Sequence, residues 1–161
     1  GSLCFEQSYA EVEGDSASGA ELAALLSALS GAPIDLSLAF TGAVSSSGAI
    51  MAVGGVNQKI EGFFEVCRRR GLTGKQGVLI PKDNAVNLML KEDVLQAVRQ
   101  GLFSVHPVTH IEEAMELLTG KPAGRRGKAG KYPKGSTFGL VDERILALAS
   151  LARQWQMNAP R

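Results

Sequence analysis

The stretch Glu11-Val-Glu-Gly-Asp-Ser-Ala-Ser-Gly19 joins an extended run, Leu3 to Val12, to an Ala/Leu-rich segment. The run alternates loosely between apolar and polar residues, as a half-buried strand does. Gly14-Asp15 interrupts it. Leu22, Leu25, Leu26 and Leu29 then recur at helical spacing over residues 17–30, with Gly31 as the stop and Pro33 beyond. Ser16 is therefore expected on a sharp strand-to-helix turn, beside the first unpaired N–H groups of a helix. There a hydroxyl can be presented to a substrate and a developing oxyanion stabilised. Such a serine needs a base.

Downstream, residues 34–44 alternate over Leu36, Leu38 and Phe40 and predict a strand. Ser45-Ser-Ser-Gly48 reads as a turn and 49–53 as the returning arm of a hairpin. Gly54-Gly55 ends that arm. Asn57 is the expected cap of a helix over 58–70, with Ile60, Phe63, Phe64 and Cys67 on its apolar face and Gly71 as its stop. Residues 76–81 (QGVLIP) form a short apolar run of the kind buried in a sheet. Asp83-Asn84 opens an irregular turn. A helix over 91–100, a strand over 102–108, a helix over 110–118 capped by Thr109 and a last amphipathic helix over 141–156 complete the pattern. Its apolar set is Ile145, Leu146, Leu148, Ala149, Ala152 and Trp155. A hairpin-rich half followed by alternating strands and helices predicts an α+β fold with mixed sheets and helices packed around them.

At 161 residues, with 45% hydrophobic and 20% charged residues, the chain has the composition of a globular domain with one core. No run approaches the ~20 apolar residues of a membrane span. Gly1-Ser2 reads as a tag remnant, and no signal peptide is evident. Cys4 and Cys67 form no CxxC pair, so a cytoplasmic, reduced setting is expected. The net charge of +1 hides an asymmetry. Residues 1–120 carry 8 Lys/Arg and 14 Asp/Glu, net −6; residues 121–161 carry 9 and 2, net +7. Lys121-Pro-Ala-Gly-Arg-Arg-Gly-Lys-Ala-Gly-Lys-Tyr-Pro-Lys134 has no acidic residue and reads as a mobile loop or linker. A nucleic-acid arm is the weaker reading, because phosphate affinity needs cations fixed on a face.

Four constellations could serve Ser16. His106 and His110 are the only imidazoles, and neither lies in a Gly-rich turn. Two His and two Cys, widely separated, have no metal-ligand spacing. Gly71-Leu-Thr-Gly-Lys75 lacks phosphate-loop spacing, and Gln76 stands where the Mg²⁺-binding hydroxyl belongs. Lys59 remains. It lies in the first turn of an amphipathic helix, directly after a glycine pair at a strand end. A helix N-terminus disfavours a cation, and burial would add to that, which suits such a lysine to act as a neutral base. On the residues alone, an ordinary surface lysine is the competing reading.

Glu13-Gly-Asp-Ser-Ala-Ser18, Phe40-Thr-Gly42, Gly54-Gly-Val-Asn-Gln-Lys-Ile60 and Ile80-Pro-Lys-Asp-Asn84 resemble, in order and spacing, the proteolytic domain of Lon proteases, nearest to the B-type branch. The resemblance covers roughly residues 3–120. It implies the Lon proteolytic-domain fold, similar to ribosomal S5 domain 2. It also implies a serine endopeptidase with a Ser-Lys dyad: Ser16 as nucleophile and Lys59, 43 residues on, as base. Thr41 would orient the lysine, and the backbone N–H groups of Ser16 and Ala17 would form the oxyanion hole. Glu13 is a candidate third member, with a salt bridge or a cap as its other readings; Asp15 stands where some branches have proline. Ser18 and Ser45 to Ser47 are explained by turns or caps. The resemblance further implies polypeptide substrates and a six-membered homo-oligomeric ring; no membrane and no metal are expected from the residues themselves. ATP and Mg²⁺ would belong to a separate ATPase module absent from this chain. Residues 121–140 would be a basic loop and 141–161 a C-terminal helical extension. A catalytically silent assembly or substrate-holding module is the alternative.

Overall fold

The computed structural model describes residues 14–158, with side chains through Trp155. The expected strand over residues 3–12, Cys4 and Glu13 lie outside the described residues.

Among the described residues, three parallel strands form the central sheet: β1 (Leu38–Phe40), β4 (Gly77–Pro81) and β5 (Ser104–Val108), in the order β1-β4-β5. Strand β4 is buried along its whole length, as a central parallel strand covered on both faces should be. Its side chains alternate between two cores. Leu79 faces one made by α1 (Ser18–Ser30), α5 (Ile111–Thr119) and the start of α6 (Thr137–Asn158), with Leu26, Met115, Leu118 and Val141. Val78 and Ile80 face the other, made with Ile60 and Phe64 of α2 (Val56–Arg70), Val94 and Ala97 of α4 (Glu92–Arg99), and Phe103. The result is a helix–sheet–helix sandwich with a two-stranded antiparallel hairpin, β2 (Ala43–Val44) and β3 (Ile50–Met51), beside it. This is the expected α+β class.

Several local expectations are corrected. The single strand over residues 34–44 is two strands in different sheets. The break falls at Thr41-Gly42, whose backbone turns aside to pair with Leu79, Ser16 and Gly19. Helix α2 starts at Val56, not Gln58: Gly55 (φ 68°) takes the cap position, and Asn57 instead accepts from the Met89 N–H at 3.1 Å. Residues Lys82–Ala85 form one helical turn, α3, where an irregular turn was expected. His110, not Thr109, is the cap residue of α5, while the Thr109 N–H and hydroxyl both donate to the Glu113 carboxylate at 2.7 Å. Cys67 is buried and free, an apolar filler, and burial pushes its thiol up.

Two differences concern the tail. Helix α6 begins at Thr137, and its first turns bury Thr137 and Val141. All of its expected apolar set, Ile145, Leu146, Leu148, Ala149, Ala152 and Trp155, is exposed. The basic segment before it is not a free linker. The Thr137 and Phe138 N–H groups donate to Pro122 and Ala123 carbonyls at 3.0 and 2.9 Å, closing its two ends on each other.

Candidate active site

The site forms where three chain segments meet beyond the C-terminal end of β1. Position along the chain does not bring them together; backbone pairing joins the first two, and the packing of α2 brings in the third. The Gly42 N–H donates to the Ser16 carbonyl at 2.9 Å, and the Gly19 N–H returns a bond to the Gly42 carbonyl at 3.0 Å. This exchange fastens the turn before α1 to the chain leaving β1. It requires close approach: a Cβ on Gly19 would stand 2.9 Å from the Gly42 carbonyl oxygen and from the Phe40 ring, and one on Gly42 would stand 2.7 Å from Ile50 Cγ2. Ser18 is not a helix cap. Its Oγ accepts from the Val44 N–H at 3.0 Å and ties α1 to the hairpin. Ser45 and Ser47 bond to each other at 2.9 Å, and Ser45 Oγ accepts from the Ala49 N–H, so they serve the turn.

Lys59 comes from the opposite core. Val56 and Ile60, both buried, seat the first turns of α2, so Lys59 faces away from that core. Its Nζ lies 2.9 Å from Ser16 Oγ and 3.2 Å from Thr41 Oγ1. The Thr41 hydroxyl also donates to the Ser16 carbonyl at 3.3 Å, so buried Thr41 touches both the serine's backbone and the lysine's amine. Lys59 itself is exposed, where the sequence suggests burial. The three side chains line a hollow of about 310 Å³, whose apolar lining is Ala17, Ala20, Ala39, Phe40 and Val78.

Asp15 contributes a backbone carbonyl, which accepts from the Ser18 N–H at 3.0 Å; among the described residues no ion pair joins its carboxylate to Lys59. Among the described residues, the Ser16 and Ala17 N–H groups have no acceptor. Neither histidine joins the site. His106 bonds to Ser104 at 2.8 Å, and burial lowers its proton affinity; His110 begins α5. Among the described residues no three His, Cys, Asp or Glu side chains converge to hold a metal, and no helix is long and apolar enough to cross a membrane.

One positioning residue escapes a reading by motif chemistry. The Asn84 side-chain amide accepts from the Val53 N–H and donates to the Val53 carbonyl, both at 3.0 Å, as a neighbouring strand would. It thereby holds the segment that runs through Gly54-Gly55 into α2 and Lys59. Its signal in the sequence is its place in Ile80-Pro-Lys-Asp-Asn84; nothing in its residue type announces the role.

The chain is also similar to known proteins. Residues 9–120 match the Lon protease (S16) C-terminal proteolytic domain. The chain is 46% identical over 153 residues, 95% of its length, to a protein provisionally named a Lon protease homolog in Haemophilus influenzae, of which it covers 26%. It is 52% identical over 117 residues, 73% of its length, to a protein of the same name in Escherichia coli, covering 20% of it. It is 40% identical over 123 residues, 75% of its length, to an archaeal Lon protease of Archaeoglobus fulgidus, covering 18%. The chain thus spans about a quarter or less of each of these relatives. A match over most of the chain, on a fold of the expected class, shows that this chain belongs to the family of Lon protease (S16) C-terminal proteolytic domains.

Proposed function

We propose that the chain is the serine endopeptidase domain of a longer Lon-like protease, hydrolysing peptide bonds of unfolded or damaged proteins through a Ser16–Lys59 dyad. The observation that carries this reading is the 2.9 Å separation of Lys59 Nζ and Ser16 Oγ, within the reach required of a nucleophile and its base. As an ammonium, Lys59 donates to Ser16. As a neutral amine at the same distance, it accepts the Ser16 proton as Oγ attacks the scissile carbonyl carbon. The tetrahedral oxyanion is then held by the N–H groups of Ser16 and Ala17. Lys59 returns the proton to the departing amine as the C–N bond breaks and the acyl-serine forms. A water molecule, deprotonated by Lys59, releases the acyl group and restores Ser16. Thr41 keeps the amine aimed at Oγ through its 3.2 Å contact. A substrate lying over the hollow would exclude water from a lysine that is exposed without it.

No cofactor is needed for these steps. ATP with Mg²⁺ would act in a separate ATPase module of the parent protein, and a homo-oligomeric ring, hexameric by resemblance, would enclose the sites. The experiment is cleavage of a fluorescently labelled unfolded protein by the chain and by its longer parent, comparing Ser16→Ala and Lys59→Ala with the unaltered sequence. Loss of cleavage in both, with the circular dichroism spectrum retained, is expected. Near-full activity in either would overturn the dyad.

A further inference from the structure

The basic segment that precedes α6 has no part in the dyad chemistry, and its structure answers the objection raised by its composition. Six cations lie within residues 121–134, with no acidic residue among them. The segment is a closed tongue. Its ends are joined by the Thr137-to-Pro122 and Phe138-to-Ala123 bonds. Its root is pinned to α5 where the Ala123 N–H donates to Glu116 at 2.9 Å. Its tip is folded by bonds from the Gly127 N–H to the Lys131 carbonyl and from the Gly130 N–H to the Gly127 carbonyl, both 2.9 Å. Tyr132 stacks on Phe138 at 5.4 Å between centroids, and the Arg126 guanidinium lies 5.1 Å over the other ring partner, Tyr132. The cations are thus presented on a fixed projection.

They are also available. The chain's other basic cluster, Arg68 to Arg70, is partly engaged: Arg68 pairs with Glu65 and Asp93, and Arg69 with Glu65. Among the described residues no ion pair involves a cation of the tongue. At its root, Arg125 and Arg126 share a cleft of about 470 Å³ with Glu112 and Glu113. Further along the tongue Lys128, Lys131 and Lys134 are exposed, Lys131 and Lys134 bordering a second hollow with Asp142 and Glu143 without pairing to either. The tongue's only aromatic ring is turned inward on Phe138, so its surface lacks the apolar anchors on which protein partners rely. A polyanion needs none: fixed cations and released counterions suffice.

We propose that the tongue of residues 121–134 is a docking surface for the phosphate backbone of nucleic acid. Residues 1–120, at net −6, repel a polyanion, so the footprint is confined to the tongue.

The test is fluorescence anisotropy of the 161-residue chain with a labelled, mixed-sequence 20-nucleotide single strand and with its duplex. Binding is expected at about 50 mM salt, with log K falling against log salt at a slope of about −2 to −4. Lys128→Glu/Lys131→Glu/Lys134→Glu should weaken binding at least tenfold and flatten the slope. Arg69→Glu/Arg70→Glu/Lys75→Glu, the same change in net charge elsewhere on the surface, should weaken it by less than threefold. No binding at low salt, or equal losses in the two triple variants, overturns the proposal. So does tighter binding of a labelled polyglutamate of matching charge, which would assign the tongue to acidic protein. None of these readouts depends on peptidase activity.

Discussion

The dyad and the basic tongue place charged side chains by opposite means. At the dyad, residues 25 and 43 positions apart meet through side-chain contacts, beside a backbone pairing of Gly42 with Ser16 and Gly19 that has no room for a single added methyl group. In the tongue, neighbours in sequence are gathered by a closed loop whose root is tied and whose tip bears only solvent-facing lysines. The contrast follows from the chemistry each would serve. The proposed proton transfer between Ser16 and Lys59 would depend on separations of about 3 Å and fail if they drifted by about 1 Å. Phosphate attraction falls off over a Debye length of roughly 8–10 Å and tolerates drift. The first region should therefore be brittle to substitution and the second forgiving.

The largest expected effect breaks the dyad itself. Ser16→Ala or Lys59→Ala should lower kcat by about 10³-fold or more, and the double variant should cost little beyond either single one, since the two groups act as a unit. Initial rates on a labelled unfolded protein check this. Thr41→Ala should cost about 10²-fold, on the scale of losing one aligned donor, and Thr41→Ser should restore most of it; a purely structural role for the methyl group would leave Thr41→Ser as impaired as Thr41→Ala and Thr41→Val active.

Next comes the packing that holds the dyad. Gly42→Ala forces a Cβ against Ile50 and should destabilise by about 1–3 kcal/mol, read from the urea midpoint at constant m-value. Equal volume added at exposed Gly130, in the tongue tip, has no neighbour to meet, and its cost is set by its left-handed φ of 73° alone, about 1 kcal/mol.

A third test uses pH and leaves both regions intact. Burial holds the His106 imidazole below its ordinary value. The unfolded chain then takes up a proton near pH ~6.5 that the native chain binds only at lower pH. More protons on the unfolded state mean that stability rises with pH. The contribution is therefore complete above about pH 6.5 and declines as pH falls below it. His106→Gln should flatten the urea midpoint between about pH 5 and about pH 7.5. Glu113, held low by its bonds from Thr109, acts in a separate window, losing its contribution as pH falls through the carboxylate range. The smallest effect is expected at the tongue: Tyr132→Ala should cost about 0.5–1.5 kcal/mol through lost ring stacking and leave peptide cleavage unchanged.

Much of this was legible before any coordinates. Helix α1, the buried strand β4 and helix α5 lie close to where apolar spacing and glycine stops put them, because local periodicity and long-range packing demand the same residues there. Errors cluster where tertiary contacts override local preference. Residues 34–44 alternate like one strand, yet the pairing of Thr41-Gly42 with Ser16, Gly19 and Leu79 splits them. Asn57 has the chemistry of a cap, yet the left-handed Gly55 starts the helix and leaves Asn57 to the loop at Met89. Asn84 acts by substituting for a β-strand beside Val53, and no local pattern encodes a partner 31 residues away.

The chain's order of residues determined the kinds of chemistry available: one serine on a helix-opening turn, one lysine at a helix start, four ordered motifs of a known family and a tail of opposite charge. Only the tertiary structure decided that Ser16, Thr41 and Lys59 meet within 3.3 Å, that Lys59 is exposed, and that the basic segment is tied rather than loose. The physical reason is the same in each case. Composition and periodicity are properties of neighbours along the chain, whereas a hydrogen bond between residues 43 positions apart exists only after two cores and a sheet have fixed the helices that carry them.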